Sequence, residues 1–339
     1  MPQKSFAVAM IDALAYSLRS DPNVIVIGAH SFLSDRGLKP EDERALWDAF
    51  PDRLIDPPTS EGVCTSLVTG AAMAGMRPFL NYGTATFAYE AFNQIMSEAA
   101  NVHSMSGGQL RAPLTLHMYA GIRGGGAGQH SSSPQAMYAN SAGLELVLPA
   151  SPADAQGLLR AAIKSDNPTV VITHTKLLAM TGDVPDGDFT IPFGKARIAR
   201  DGRDVTIVAT SLMVCEALKA AEALAKDGIE AEVVDPRTIV PLDSEAICAS
   251  VRKTGRLVTV DEGNVLCSIG SEIAALVAEQ AFSALKAPIL RVARPPVPIA
   301  FSPPLEAHVT PNADKIVATP GIAPAVRWTL NAGGSIRLF

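Results

Sequence analysis

The sequence predicts an α/β protein built of two doubly wound domains. Three observations carry that prediction. Short strands alternate with helices along nearly the whole chain, the strands are apolar at successive positions rather than at every other one, and one aperiodic stretch interrupts the alternation near the middle. Phe6, Met10, Ala13, Leu14 and Leu18 recur at helical spacing, and Asn23 to Gly28 then reads as a buried strand ending in glycine. Ser60 opens a small-residue helix to Gly75, Pro78 to Tyr82 is a strand, Phe87 to Ala100 a helix and Pro113 to Tyr119 a strand. Leu144 to Leu148 and Thr169 to Thr173 are strands around a helix at Pro152 to Lys164. Lys176 to Arg200 holds Gly182, Pro185, Gly187, Pro192 and Gly194 without periodicity, which places a linker at 181–200, a first domain at 1–180 and a second at 201–339. The alternation then restarts, with strands at Asp204 to Ala209, Glu230 to Val234, Leu257 to Val260 and Ile289 to Val292, and helices at Leu212 to Ala225, Ser244 to Thr254 and Ser268 to Ala284. The prolines between Arg294 and Leu305 predict an extended surface segment rather than a helix.

Composition narrows the function. With 339 residues at about 150 per domain, the chain is long enough for two cores. The net charge of −6 offers no basic face for a phosphate backbone, so nucleic acid is excluded as a partner. No apolar run reaches the roughly 18 residues of a membrane span, and no secretory signal opens the chain, so the expectation is a cytoplasmic protein. The mean hydropathy of +0.19 then reads as surface buried against other subunits. Cys64, Cys215, Cys248 and Cys267 stand far apart and read as reduced core residues.

Two stretches could carry chemistry. Gly121 to His130 is rich in glycine but has neither the phosphate-loop nor the dinucleotide spacing, so it reads as a mobile active-site loop that positions His130. Glu61 falls in the first turn of a helix whose Gly70, Ala71, Ala72, Ala74 and Gly75 allow a very close approach. No G-x-S-x-G sequence supports a serine hydrolase, and the histidines lack metal-ligand spacing.

Taken in order, Asp56-Pro-Pro-Thr-Ser-Glu61, Gly70-Ala-Ala-Met-Ala-Gly75-Met-Arg-Pro78, Met105-Ser-Gly-Gly108, Gln129-His-Ser131 and Pro298 to Glu306 closely resemble one family. It is the beta subunit of the thiamine-diphosphate-dependent decarboxylase of 2-oxo acid dehydrogenase complexes, which includes pyruvate, branched-chain and acetoin enzymes. The likeness runs from about residue 4 to about residue 318. It implies a pyrimidine-binding domain followed by a transketolase C-terminal-type domain, and an α2β2 heterotetramer whose alpha subunit holds the pyrophosphate and Mg²⁺. The expected activity is that of an oxidoreductase with a lipoyl disulfide, on a separate acyltransferase, as acceptor. Glu61 matches the glutamate that bonds N1′ of the aminopyrimidine, Phe87 the aromatic packed on that ring, Tyr82 a further cofactor contact, and His130 a histidine that handles protons during acyl transfer.

The resemblance also carries departures. The family's glutamate after the first strand, part of an acidic proton path between active sites, is Ala29 in this chain; Glu90 of that path remains, and His30 is the substitute proton carrier. Some relatives hold a structural K⁺ through a loop matched by Leu114, Ala162, Ile163, Ser165 and Asn167, with Ser165 where an acid is expected. Two alternatives stand beside the dehydrogenase reading: the C-terminal half of a split transketolase, and a non-catalytic scaffold subunit.

Overall fold

The computed structural model describes residues 1–34, 39–319 and 322. Among them run the strands β1 (Gln3–Ser5), β2 (Val24–Ile27), β3 (Leu54–Ile55), β4 (Arg77–Thr84), β5 (Thr115–Ala120), β6 (Glu145–Val147) and β7 (Thr169–His174). They continue as β8 (Thr181–Asp183), β9 (Arg197–Arg200), β10 (Val205–Ala209), β11 (Ala231–Asp235), β12 (Thr238–Val240), β13 (Leu257–Asn264) and β14 (Leu290–Arg294). A seven-stranded sheet has the order β12-β6-β7-β5-β4-β2-β3 and a five-stranded sheet the order β14-β13-β10-β11-β9; β1 and β8 form a small pair of their own. Both large sheets are parallel except at one edge, where β12 and β9 run antiparallel. Every residue of β5 and β7 is buried, as strands covered on both faces must be.

One layer of core lies under the helices Phe6–Ser20 and Pro152–Lys164, around Met10, Leu14, Leu158 and Leu159. The other packs Val68, Ile95, Leu116 and Leu146 of the first half together with Val208, Ile247, Leu257 and Ile273 of the second, so one apolar cluster bridges the two sheets. Helix ends follow local chemistry: Ser151 accepts from the Asp154 N–H, Asp243 accepts from that of Ala246, and Gly255 ends Ser244–Thr254 in the left-handed region.

Four expectations need correction. Phe87 to Ala100 is not one helix but a 3₁₀ turn, Phe87–Ala91, followed by a π-helical turn, Gln94–Ala99. The side chains of Thr86 and Tyr89 are tied to the loop carrying His130, which sets the tight winding there. The stretch 181–200 carries β8 and β9, which pair back onto β1 and β11. The proline-rich run is extended only to Ser302; Pro303 then starts the helix Pro303–Val309, because proline is tolerated in a first turn. Cys267 is exposed rather than core, whereas Cys64 and Cys248 are buried; all four cysteines are free. Of the residues assigned to 201–339, 320, 321 and 323–339 lie outside the described residues. Among the described residues no helix is long and apolar enough to cross a membrane.

Candidate active site

The candidate residues gather at the carboxyl ends of the parallel strands, where open α/β sheets hold ligands. β4 runs into the 3₁₀ turn with Phe87, β5 runs into the glycine-rich loop with His130, and Glu61 opens the helix Glu61–Met73 beside them. Glu61 lines an open cleft of about 450 Å³ with Ser60, Gly62, Val63, Ser66, Glu90 and Gln94. Its carboxylate has no hydrogen-bond partner among the described residues, and Gln94 Oε1 is buried without one. Glu61 lies in the first turn of its helix, the end whose N–H groups have no intrahelical acceptor.

On the other flank of the 3₁₀ turn, the Phe87 and His130 rings meet edge to face with centroids 5.5 Å apart. Thr86 Oγ1 donates to the Gln129 carbonyl, and the Tyr89 hydroxyl lies 2.7 Å from Ser132 Oγ. Phe87 is 39% exposed, an apolar ring left partly open to solvent. His130 is half-buried, and its Nδ1 is buried with no partner. Tyr82 stands elsewhere: it is buried behind the Glu61 helix, with its hydroxyl 2.6 Å from Thr65 Oγ1. Thr65 Oγ1 in turn donates to the Glu61 carbonyl at 2.6 Å, so Tyr82 is the donor of the pair and steadies the turn that carries Glu61. Burial pushes the Tyr82 phenol well above its ordinary range, which keeps that proton in place.

The glycine-rich loop is anchored rather than free. Glu262, on β13 of the second sheet, accepts from the Ile122 N–H at 2.8 Å and Ser133 Oγ at 2.9 Å, and its other oxygen lies 2.9 Å from His174 Nε2. Burial opposes ionisation of Glu262, but His174 and these donors outweigh it and hold the carboxyl below its usual range. Farther along, the Gly125 N–H donates to Glu306 Oε2 at 2.9 Å. Two carboxylates thus occupy the N–H groups of Ile122 and Gly125, so neither of these is free for a phosphate. Gly121 is required: at φ +92° a Cβ would meet the His174 ring at 2.0 Å. Glu262 and His174 carried no motif in the sequence, since their partners lie far along the chain, and Gln94 carried none either; Glu306 ends the motif Pro298 to Glu306, but its bond to Gly125 spans 181 residues.

Of the residues predicted for catalysis and cofactor binding, only Glu61 lines this cleft; His30 and the potassium-loop residues also lie outside it. His30 is exposed, with Nδ1 3.0 Å from Ser34 Oγ and its N–H on Asp56. In the loop assigned to potassium, the Ile163 and Ser165 carbonyls accept from Arg77 Nη1 at 3.3 and 2.7 Å, Ala162 accepts from the Ser165 N–H, and Leu114 from the Thr169 N–H. The Ser165 and Asn167 side chains both donate to Glu145. Positive charge at this loop comes from Arg77. Among the described residues no group of His, Cys, Asp and Glu is arranged to hold a metal ion.

Comparison with known proteins now gives the class. Residues 3–181 match the transketolase pyrimidine binding domain and residues 194–316 the transketolase C-terminal domain. The chain therefore belongs to the transketolase-like family of 2-oxo acid and acetoin dehydrogenase beta subunits. It is 39% identical over 338 residues to the acetoin:2,6-dichlorophenolindophenol oxidoreductase subunit beta of Cupriavidus necator, covering 97% of this chain and 98% of that one. It is 39% identical to the pyruvate dehydrogenase E1 component subunit beta of Rhizobium meliloti, covering 91% of this chain and 67% of that one. The 2-oxoisovalerate dehydrogenase subunit beta of Bacillus subtilis is 37% identical, with 94% and 98% covered. A solved split-gene transketolase, an inactive beta4 tetramer, superposes with a TM-score of 0.75 at 24% identity, over 93% of this chain and 96% of that one, and shows the shared fold.

Proposed function

We propose that this chain acts with a separate alpha subunit, as an α2β2 heterotetramer, to cleave a 2-oxo acid or an acetoin-like substrate with thiamine diphosphate. In this reading the acyl group passes to the lipoyl group of a separate acyltransferase. The alpha subunit holds the pyrophosphate and Mg²⁺, and this chain receives the aminopyrimidine end. The observation that carries the reading is the pairing of an unpartnered Glu61 carboxylate and an unpartnered Gln94 Oε1 in one open cleft. An aminopyrimidine has a ring nitrogen able to share a proton with a carboxyl and an amino group able to donate to an amide oxygen. Thiamine diphosphate, when bound, supplies the electron sink for breaking the bond to the oxo carbon.

The chain's own residues then have distinct tasks. Glu61 holds a proton at N1′ of the pyrimidine. Phe87 offers its open face to the ring, Tyr82 acts from behind by steadying the first helical turn, and His130 takes or gives a proton at the acyl-transfer step.

The test is turnover of the reconstituted alpha and beta chains with pyruvate, a branched 2-oxo acid and acetoin. Glu61→Gln should slow the active substrate by about 10²- to 10⁴-fold, the weight of one acid–base group. Near-normal turnover in that variant overturns the assignment. His130→Ala should impair lipoyl acylation more than decarboxylation measured with an artificial electron acceptor; equal losses remove its assigned task.

A further inference from the structure

A second cleft opens on the far side of the glycine-rich loop, and it contains a buried arginine with almost nothing to bind. Arg294 ends β14, where its carbonyl accepts from the Val265 N–H at 2.8 Å. The residue is only 6% exposed. Its Nη1 donates to the Val297 carbonyl at 3.0 Å, whereas Nε is buried without a partner. No carboxylate of the described residues lies within 4.0 Å of the guanidinium.

The acidic groups nearest in effect have other partners: Glu262 is occupied by His174, Ile122 and Ser133, Asp261 accepts from Thr210 and Gln135 through Oδ1 while its Oδ2 is buried without a partner, and the Tyr89 hydroxyl pairs with Ser132. Arg197 shows the contrast, since its Nη2 lies 2.9 Å from Asp235 and 3.5 Å from Asp154. A buried guanidinium without a carboxylate is costly, and a structure that keeps one is prepared for an anion.

The cleft has a volume of about 320 Å³. Arg294, Asn264 and Ser132 form its polar side, and the run 296–299 forms an apolar wall. Gly128 and Ser132 on its rim flank His130 in the chain, so an elongated ligand could reach from the proposed reaction centre to Arg294. The planar guanidinium suits a carboxylate. A carboxylate about to leave as CO₂ is a poor match, because holding it would favour the ground state over the transition state.

We propose that Arg294 is a specificity-determining residue that receives a second carboxylate, carried by the substrate at the end remote from its oxo carbon. The preferred substrate is then a dicarboxylic 2-oxo acid. This rests on the decarboxylase reading above.

The experiment compares 2-oxoglutarate with 2-oxopentanoate in the reconstituted enzyme, for the wild type, Arg294→Gln and Arg294→Lys. The wild type should favour 2-oxoglutarate in kcat/KM. Arg294→Gln should lower that preference by about tenfold to a hundredfold, chiefly through KM, and Arg294→Lys should restore part of it. An unchanged ratio in Arg294→Gln sinks the subsite while leaving the decarboxylase reading intact. Loss of assembly with the alpha subunit at an unchanged ratio also sinks it, since a partner's carboxylate would then be what Arg294 meets. Glutarate binding to the full chain is the separate readout. A rise in Tm in the wild type that is absent from Arg294→Gln supports the subsite even if no 2-oxo acid is turned over, and no rise in the wild type counts against it.

Discussion

Two carboxylates of this chain have opposite surroundings. Glu262 sits between the sheets with both oxygens bonded within the chain. Glu61 sits at a helix start on an open cleft, with no bond to its side chain among the described residues. The difference separates a group that completes the fold from one that the fold leaves ready for a ligand. A satisfied buried carboxylate contributes to stability and positioning, whereas one held in place without a partner can direct its interaction at what binds.

Several variants would break or sharpen that contrast. The largest effect belongs to Glu61→Gln, whose loss of turnover should come with an almost unchanged Tm, because no internal bond is broken. A large fall in Tm would instead make Glu61 structural. Glu262→Gln should do the reverse, lowering unfolding free energy by about 1–3 kcal/mol in denaturant titrations while loosening the loop that carries His130.

The pH dependence of stability gives two opposed slopes. The depressed Glu262 carboxyl contributes stability at neutral pH that is lost as pH falls below the ordinary glutamate range and through its own folded value. Asp235 behaves oppositely. Burial, and after it the charge of Asp154, push its carboxyl up to about 6 despite Arg197. The folded state therefore binds more protons than the unfolded one between about pH 4 and 6, and stability falls as pH rises through that window. Asp235→Asn should flatten that portion of the curve measured by chemical denaturation, and an unaltered slope would refute Asp235 as its origin. Tyr82→Phe is the smallest change. Losing one bond to Thr65 should cost about 1 kcal/mol and move KM for the cofactor rather than abolish activity.

Elements with a local cause were legible in the sequence. Pro152–Lys164 and Ser244–Thr254 begin and end at the predicted residues, since cap, periodicity and stop all lie within a few positions. Phe87 to Ala100 misled because its apolar spacing is helical, while its winding is set by bonds from Thr86 and Tyr89 to a loop 43 residues away. The helix Pro40–Ala49 escaped notice although Pro40 and its acidic first turn marked its start. In the candidate site, Glu61 and His130 lie in ordered motifs, and Phe87 came from what the resemblance implies. Glu262 could not, for its bond to Ile122 spans 140 residues and that to His174 spans 88. Arg294 lay among prolines that suggested only an extended segment, and the absence of a partner for its Nε is visible only once the chain is folded.

Because β12 crosses over to lie against β6, the polypeptide resists being halved. Cutting it between residues 181 and 194 would strip the larger sheet of its outermost neighbour and bare a row of main-chain donors and acceptors. Each fragment would then be adhesive on its own, and mixing the two would be the way to return them to solution.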